Sequence, residues 1–185
     1  MTTRFISVVI LGAALMAAPG RAAAQTTSSD GTKSSAFIGW AGLGIWNLGV
    51  SVDYFGYSVS GSSTNFGLHV GGAANLVPLS PDLPLIIWGE VPIVFAGNTY
   101  FPLALGAGVR YDKAGPVQLL GGLGLAIAAN TGASSVPVGV RIMGMVLYPL
   151  VQVNPNFSIQ TQLSYDILTQ SAHIFRWTAG IGYAL

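Results

Sequence analysis

The sequence predicts an all-β fold, an antiparallel up-and-down transmembrane β-barrel of eight strands, on three observations. Charged residues make up 7% of the chain and hydrophobic ones 51%, whereas soluble domains carry about 25% charged residues. Something other than water must face much of this surface. Apolar residues recur at every second position in short segments, the period of a strand whose two faces meet different surroundings. Breaks rich in turn residues separate these segments at intervals of about a dozen residues, as barrel strands require.

Residues 1–24 read as a secretory signal peptide. Arg4 lies in a short n-region, Phe5 to Ala18 form an apolar run, and Ala22-Ala23-Ala24 supply an A-x-A site before Gln25. The apolar run is too short for a membrane span, and no stop-transfer pattern follows it. Cleavage leaves 185 − 24 = 161 residues, enough for one domain. It also removes Arg4 and Arg21, so seven basic residues become five against six acidic ones. That balance suggests no nucleic-acid partner. Cysteine is absent, which excludes disulfides, zinc–thiolate sites and thiol nucleophiles. Residues 25–34 (QTTSSDGTKS) read as a flexible lead-in, and residues 35–185 as the barrel.

The first strand of the eight is read over Leu48 to Ser60, with Val50, Val52 and Tyr54 opposite Ser51 and Asp53. The second carries Phe66, Leu68 and Val70 opposite Asn65, Gly67 and His69. The third sets Leu85, Ile87, Val91, Ile93 and Phe95 against Ile86, Trp88, Glu90, Pro92 and Val94. Tyr100 to Asp112 alternates without a slip, Phe101, Leu103, Leu105, Ala107, Val109 and Tyr111 facing away from Pro102, Ala104, Gly106, Gly108, Arg110 and Asp112. Val117, Leu119, Gly121, Leu123, Leu125 and Ile127 form the outer face of the fifth strand. Val136, Val138, Val140, Ile142, Gly144, Val146 and Tyr148 form that of the sixth, with Arg141 behind them. Phe157, Ile159, Thr161, Leu163, Tyr165 and Ile167 alternate with Ser158, Gln160, Gln162, Ser164 and Asp166. The closing strand sets Phe175, Trp177, Ala179, Ile181, Tyr183 and Leu185 against Arg176, Thr178, Gly180, Gly182 and Ala184. Breaks are expected at 61–64, 96–99, 129–135 and 169–172 at one end, and at 78–84, 112–115 and 150–155 at the end carrying the termini. Ser35 to Ile45 (SAFIGWAGLGI) also looks strand-like, and periodicity leaves open whether it pairs at the seam, is the true first strand or lies in the lumen. Outward aromatics fall at strand ends, Tyr111, Tyr148, Phe157 and Tyr183 toward the termini and Phe66, Phe95, Phe101, Phe175 and Trp177 opposite, as two interfacial girdles.

The ending TAGIGYAL resembles the C-terminal assembly signal of bacterial outer-membrane β-barrels, with Thr178, Gly180, Tyr183 and Leu185 at its recurring polar, glycine and terminal hydrophobic places. Leu185 departs from the usual terminal aromatic. Over most of the mature chain the pattern is similar to the OmpA/OmpX/OmpW-like small barrels. The resemblance implies location in the outer membrane, contact with its lipid, and recognition by the barrel-assembly machinery through the last strand.

Two rival folds fit less well. Transmembrane helices need about 20 apolar residues each, and Glu90 with Pro92, Gly121-Gly122, and Arg141 interrupt the candidates. A soluble lipocalin-like barrel needs charge outside and apolar bulk inside, the reverse of this pattern.

The chemistry-bearing residues are few. Asp166, Ser171 and His173 cluster around one hairpin, where a nucleophile, a base and an orienting acid would make a rim hydrolase. The alternative is that they are loop polar groups, and neither His69-Val70-Gly71 nor His173-Ile174-Phe175 resembles the His-x-Ser element of lipid A deacylases. Two distant histidines without cysteine make no metal site. Gly121-Gly122-Leu123-Gly124 lacks the third glycine and the helix of a dinucleotide loop, so these glycines read as relief of crowding in a narrow lumen. No catalytic, cofactor-binding or metal-ligating residue is assigned.

Seven charges point inward: Asp53, Glu90, Arg110, Asp112, Arg141, Asp166 and Arg176. An eight-stranded interior is just wide enough for side chains to fill, and isolated charges there are costly, so pairing into a plug is expected. Asp166 is expected within diagonal reach of both Arg141 and Arg176. The functional expectation is a non-catalytic structural or membrane-organising barrel with a side-chain-filled polar lumen. A narrow channel for small solutes is the alternative, and a rim hydrolase the third reading.

Overall fold

The computed structural model describes residues 36–54, 57–80, 82–95, 100–114, 117–130, 136–150, 154, 156–169 and 172–185. The signal peptide, the lead-in and Ser171 lie outside them. Among the described residues eight strands close into a ring in chain order: β1 (Phe37–Tyr54), β2 (Tyr57–Ser80), β3 (Leu83–Phe95), β4 (Tyr100–Ala114), β5 (Val117–Asn130), β6 (Val138–Pro149), β7 (Phe157–Leu168) and β8 (Ala172–Ala184). Every neighbouring pair is antiparallel, and β1 pairs with both β2 and β8. Closure leaves the ring without a sheet edge, the condition for strands to cross a bilayer with their backbone groups satisfied. At the seam Leu185 donates its N–H to the Phe37 carbonyl at 2.9 Å.

The alternation read from the sequence governs which side chains face out. Along β7 every odd residue from Phe157 to Ile167 is exposed and every even one buried. The outer wall carries Leu43, Phe66, Leu105, Leu123, Leu125, Ile181 and many other large apolar side chains, Leu125 with 70% of its surface exposed. Such a wall suits lipid and is the inverse of a soluble barrel. Outward polar tips are satisfied within the wall: Trp177 Nε1 donates to Thr161 Oγ1 at 3.0 Å, and the Tyr165 hydroxyl lies 3.1 Å from His173 Nδ1.

The first strand differs from expectation. Of the stretch Ser35 to Ile45, Phe37 to Ile45 belongs to the true first strand, β1, while Ser35 lies outside the described residues; Leu48 to Ser60 contributes to a hairpin of β1 and β2, with Tyr54 facing Tyr57. The expected break at 61–64 is strand, Gly61 to Thr64 pairing with Val50 to Asn47. The physical reason lies in β1's two faces. Ile38, Trp40 and Trp46 are buried in the lumen while Leu43 is exposed outside, so large apolar groups on both sides hide the period. The Ser-Ser-Thr stretch has the composition of a turn, but polar residues also suit a ribbon standing beyond its neighbours, since β2 meets β3 only from Phe66 onward.

The lumen is also less polar than expected. An apolar plug at the termini end combines Ile38, Trp40, Ile86, Trp88, Leu120, Met143, Met145 and Leu147. A thinner one at the opposite end combines Trp46, Val94, Ala126, Ala128, Leu168 and Ile174. Two indoles fit so narrow a bore because glycines face them. A Cβ on Gly106 or Gly124 would lie 2.7 or 2.8 Å from Trp88 Cζ2, and one on Gly71 would lie 2.5 Å from Trp40 Nε1.

Candidate functional site

Between the two plugs lies a charged layer. Register places Arg141 of β6 directly opposite Asp166 of β7, and Arg176 of β8 opposite Ser164, one inward position from Asp166. Glu90 reaches in from β3 on the far wall. Arg141 grips Asp166 with two bonds, Nε to Oδ1 at 2.6 Å and Nη2 to Oδ2 at 2.8 Å. Its third nitrogen, Nη1, donates to Glu90 Oε1 at 2.5 Å. Arg176 closes the square, Nη1 to Glu90 Oε1 at 3.0 Å and Nη2 to Asp166 Oδ1 at 3.1 Å. Gln162 Nε2 donates to the remaining Glu90 oxygen at 2.7 Å.

All four ionic side chains are at most 2% exposed. Two guanidinium ions and two carboxylates alternate, so the layer carries no net charge. Planar, multiply bonded guanidinium–carboxylate pairs are the geometry in which buried ions best recover their lost hydration. The arrangement fixes four strands to one another across the bore. Both carboxylates are engaged by the two arginines.

The seven inward charges of the sequence thus divide. Glu90, Arg141, Asp166 and Arg176 are brought together. Arg110 and Asp112 form a second pair two residues apart on β4, Arg110 Nε lying 2.9 Å from Asp112 Oδ1, nearer the termini. Asp53 stands in β1 opposite Ser58, and its side chain lies outside the described residues. Of the rim constellation, His173 stacks on Tyr165, ring centroids 5.9 Å apart, on the outer face, while Asp166 is inside the bore. The wall separates them. Of the C-terminal residues, Thr178 is buried in the lumen, Tyr183 packs edge-on against Phe157 at 4.9 Å on the outer face, and Leu185 is exposed. A Cβ on Gly180 would strike the Ala41 backbone across the seam.

Sequence reasoning placed Gln160, Gln162 and His69 on the inward face but gave them no role. Gln162 holds Glu90, and Gln160 Nε2 lies 2.9 Å from His69 Nε2. Contacts across a bore, between residues 72 and 91 positions apart, leave no spacing pattern.

No family model matches the chain, and no curated protein matches it. Among solved structures it is similar to Neisserial surface protein A, at 16% identity and a TM-score of 0.54, over 82% of this chain and 98% of that one. It is also similar to the N-terminal β-barrel domain of Pseudomonas aeruginosa OprF, at 14% identity and a TM-score of 0.53, over 82% and 98%. At these identities the likeness is one of architecture. The chain has the fold of the small OmpA/OmpX-like eight-stranded transmembrane barrels.

Proposed function

We propose that this chain is a non-catalytic integral protein of the bacterial outer membrane with a structural or membrane-organising role, its bore closed by packed side chains. The observation that carries this reading is the neutral Glu90–Arg141–Asp166–Arg176 square, buried between two apolar plugs. Nothing in that layer is poised to react, and its ion pairs tie opposite walls together. The apolar outer wall suits membrane lipid as its partner. The last strand, with Thr178, Gly180, Tyr183 and Leu185, is the segment through which the assembly machinery would engage the chain, after removal of residues 1–24.

The test is fractionation with heat-modifiable migration in detergent gels. The protein is expected with the outer membrane, the folded form running apart from the boiled one. Recovery as a soluble periplasmic monomer without detergent overturns the reading.

A second reading, a narrow channel for small solutes, draws support from polar atoms in the bore that have no protein partner, including Gln160 Oε1, Gln162 Oε1 and Thr178 Oγ1. Single-channel recording in planar bilayers separates the two: a silent bilayer supports the closed barrel, and steady unitary conductance the channel. The rim hydrolase gains no support from the geometry, because His173 and Asp166 lie on opposite sides of the wall.

A further inference from the structure

We propose that the end of the β1–β2 hairpin is an apolar lid that folds inward onto the thinner plug and closes the mouth of the bore at its loop end. The inference rests on the barrel reading above and concerns only how that end is covered. β1 makes its last pair with β8 where Val50 faces Ala172, and β2 makes its last pair with β3 where Phe66 faces Phe95. Among the described residues, Ser51 to Tyr54 of β1 and Tyr57 to Asn65 of β2 then have ladder partners only in each other's strand. The hairpin thus ends as a two-stranded ribbon standing above the ring. Gly61 to Thr64 are exposed, so the structure describes the lid standing open.

The two faces of this ribbon change character differently on leaving the barrel. Within the ring the outward face is apolar, with Leu43 and Phe66 each 67% exposed. At the next outward pair Asn47 donates to Thr64 Oγ1 at 3.4 Å, and the outward positions that follow are Ser51 and Asp53 on β1 and Ser58, Ser60 and Ser62 on β2. That is a face for water. The alternate positions of β1, Leu48, Val50, Val52 and Tyr54, continue the face on which Trp46 is buried in the lumen, with Val59 and Tyr57 opposite the last two. An isolated two-stranded hairpin is marginal until such an apolar face is packed. Leu48 already packs against the plug formed by Trp46, Val94, Ala126, Ala128, Leu168 and Ile174. The apolar face therefore begins on the surface that would cover the rest of it.

A hinge lies where the support of β8 ends. Gly49 and Gly61 occupy neighbouring rungs, opposite Ser62 and Val50. A Cβ on Gly61 would meet nothing within 4 Å, and one on Gly49 only the His173 carbonyl oxygen at 3.8 Å. No close packing requires glycine at either position, whereas glycine inside a strand weakens it and permits a tight bend. Tyr54 is five residues beyond Gly49, about 16 Å of strand at about 3.3 Å per residue. Eight strands about 4.8 Å apart and tilted about 40° make a ring about 16 Å across. A ribbon bent at the two glycines spans the mouth, with its apolar face on the plug and its serines and Asp53 left to water.

The chain contains no cysteine, so single introduced cysteines report on each face of the ribbon. The experiment measures the rate at which a water-soluble maleimide labels Val52→Cys and Ser51→Cys in the full mature barrel refolded in detergent. Labelling of a covered site follows the population of its open form, and Val52→Cys is expected to react about tenfold more slowly than Ser51→Cys, at every protein concentration. Gly49→Val/Gly61→Val, which stiffens the hinge, is expected to bring the two rates together. Trp46→Ala, which removes the seat, is expected to do the same, and Leu48→Ser serves where that variant fails to fold. Equal rates without these further substitutions overturn the lid, as does a ratio that neither the hinge nor the seat variant changes. Protection of Val52→Cys that appears only as protein concentration rises assigns the face to a second copy of the chain and also overturns it. A barrel that folds and migrates normally yet fails these tests sinks the lid alone.

Discussion

Glu90 and Arg141, 51 positions apart in the chain, meet across the bore, carboxylate oxygen to guanidinium nitrogen at 2.5 Å. The contact joins β3 to β6, strands that share no backbone ladder. Side-chain ion pairs therefore brace the ring across its diameter as well as around its circumference.

This bracing predicts the effect of removing one acid. Asp166→Ala leaves Arg141 and Arg176 facing each other with only Glu90 between them, and Glu90→Ala leaves the same pair with only Asp166. Removing one partner of a buried pair costs about 3–5 kcal/mol. Each variant is expected to unfold in urea, in detergent, with a stability lower by that amount. A loss below about 1 kcal/mol, the scale of exposed pairs, would mean that water already screens the square.

Adjacent glycines on β5 give a sharper test of packing. A Cβ on Gly121 meets nothing within 4 Å, whereas one on Gly122 would collide with the Trp88 indole nitrogen. Gly121→Ala is expected to be neutral. Gly122→Ala is expected to push Trp88 off its bond to the Ala107 carbonyl, now 3.2 Å long, and to cost about 1–3 kcal/mol, the scale of overpacking a core. Urea unfolding and tryptophan emission of the two variants check this, and equal behaviour would remove the glycine cradle from the account.

Much of the barrel was legible because one physical rule, lipid outside and lumen inside, acts on alternate residues within the later strands, most cleanly along β6 and β7. It failed at β1, where Trp40 and Trp46 inside match Leu43 outside in bulk, and where Ser62 to Thr64 continue a strand that turn chemistry would end. Within the charged layer, the sequence placed Asp166 beside Arg141 and Arg176 because β6, β7 and β8 are consecutive. It could not place Glu90, since which residues meet across a bore depends on tilt and stagger, which no local pattern records. The apolar plugs were hidden for a related reason: Trp88 and Val94 alternate with Ile87 and Phe95, so β3 is apolar on both faces.

The closing strand carries a prediction about assembly. Tyr183 packs on Phe157 outside, and beyond it the Ala184 and Leu185 amides donate to Asn156 and Phe37 carbonyls at 2.8 and 2.9 Å. Deleting Tyr183 to Leu185 removes these bonds and frees the start of β1 and of β7 at lipid depth, where unpaired backbone groups are costly. Secretion is expected to be unaffected while heat-modifiable barrel is lost from the outer membrane. Normal insertion of the truncated chain would show that the last three residues do not organise closure.

The last prediction concerns the thinner plug. At the loop end the bore is filled by one large side chain, Trp46, fully buried, with Val94, Ala126, Ala128, Leu168 and Ile174 around it. The termini end instead has two indoles and two methionines, so enlarging the bore at one position there leaves other bulky groups in place. Trp46→Ala removes most of the apolar volume from its layer at a cost of about 3–5 kcal/mol if the walls do not collapse. Beneath it lies the charged square, which water could then reach from the loop side. Because the termini plug remains shut, Trp46→Ala alone is expected to stay silent in planar bilayers, while Asp166→Ala becomes less destabilising on its background than in the wild type. That loss of coupling follows from screening: water lowers the energy of two arginines left facing each other. Combining Trp46→Ala with Trp40→Ala and Trp88→Ala is expected to open steady conductance. Measurable conductance from Trp46→Ala by itself would show that the termini plug does not seal the bore. An unchanged cost of Asp166→Ala would show that Trp46 does not keep water from the square.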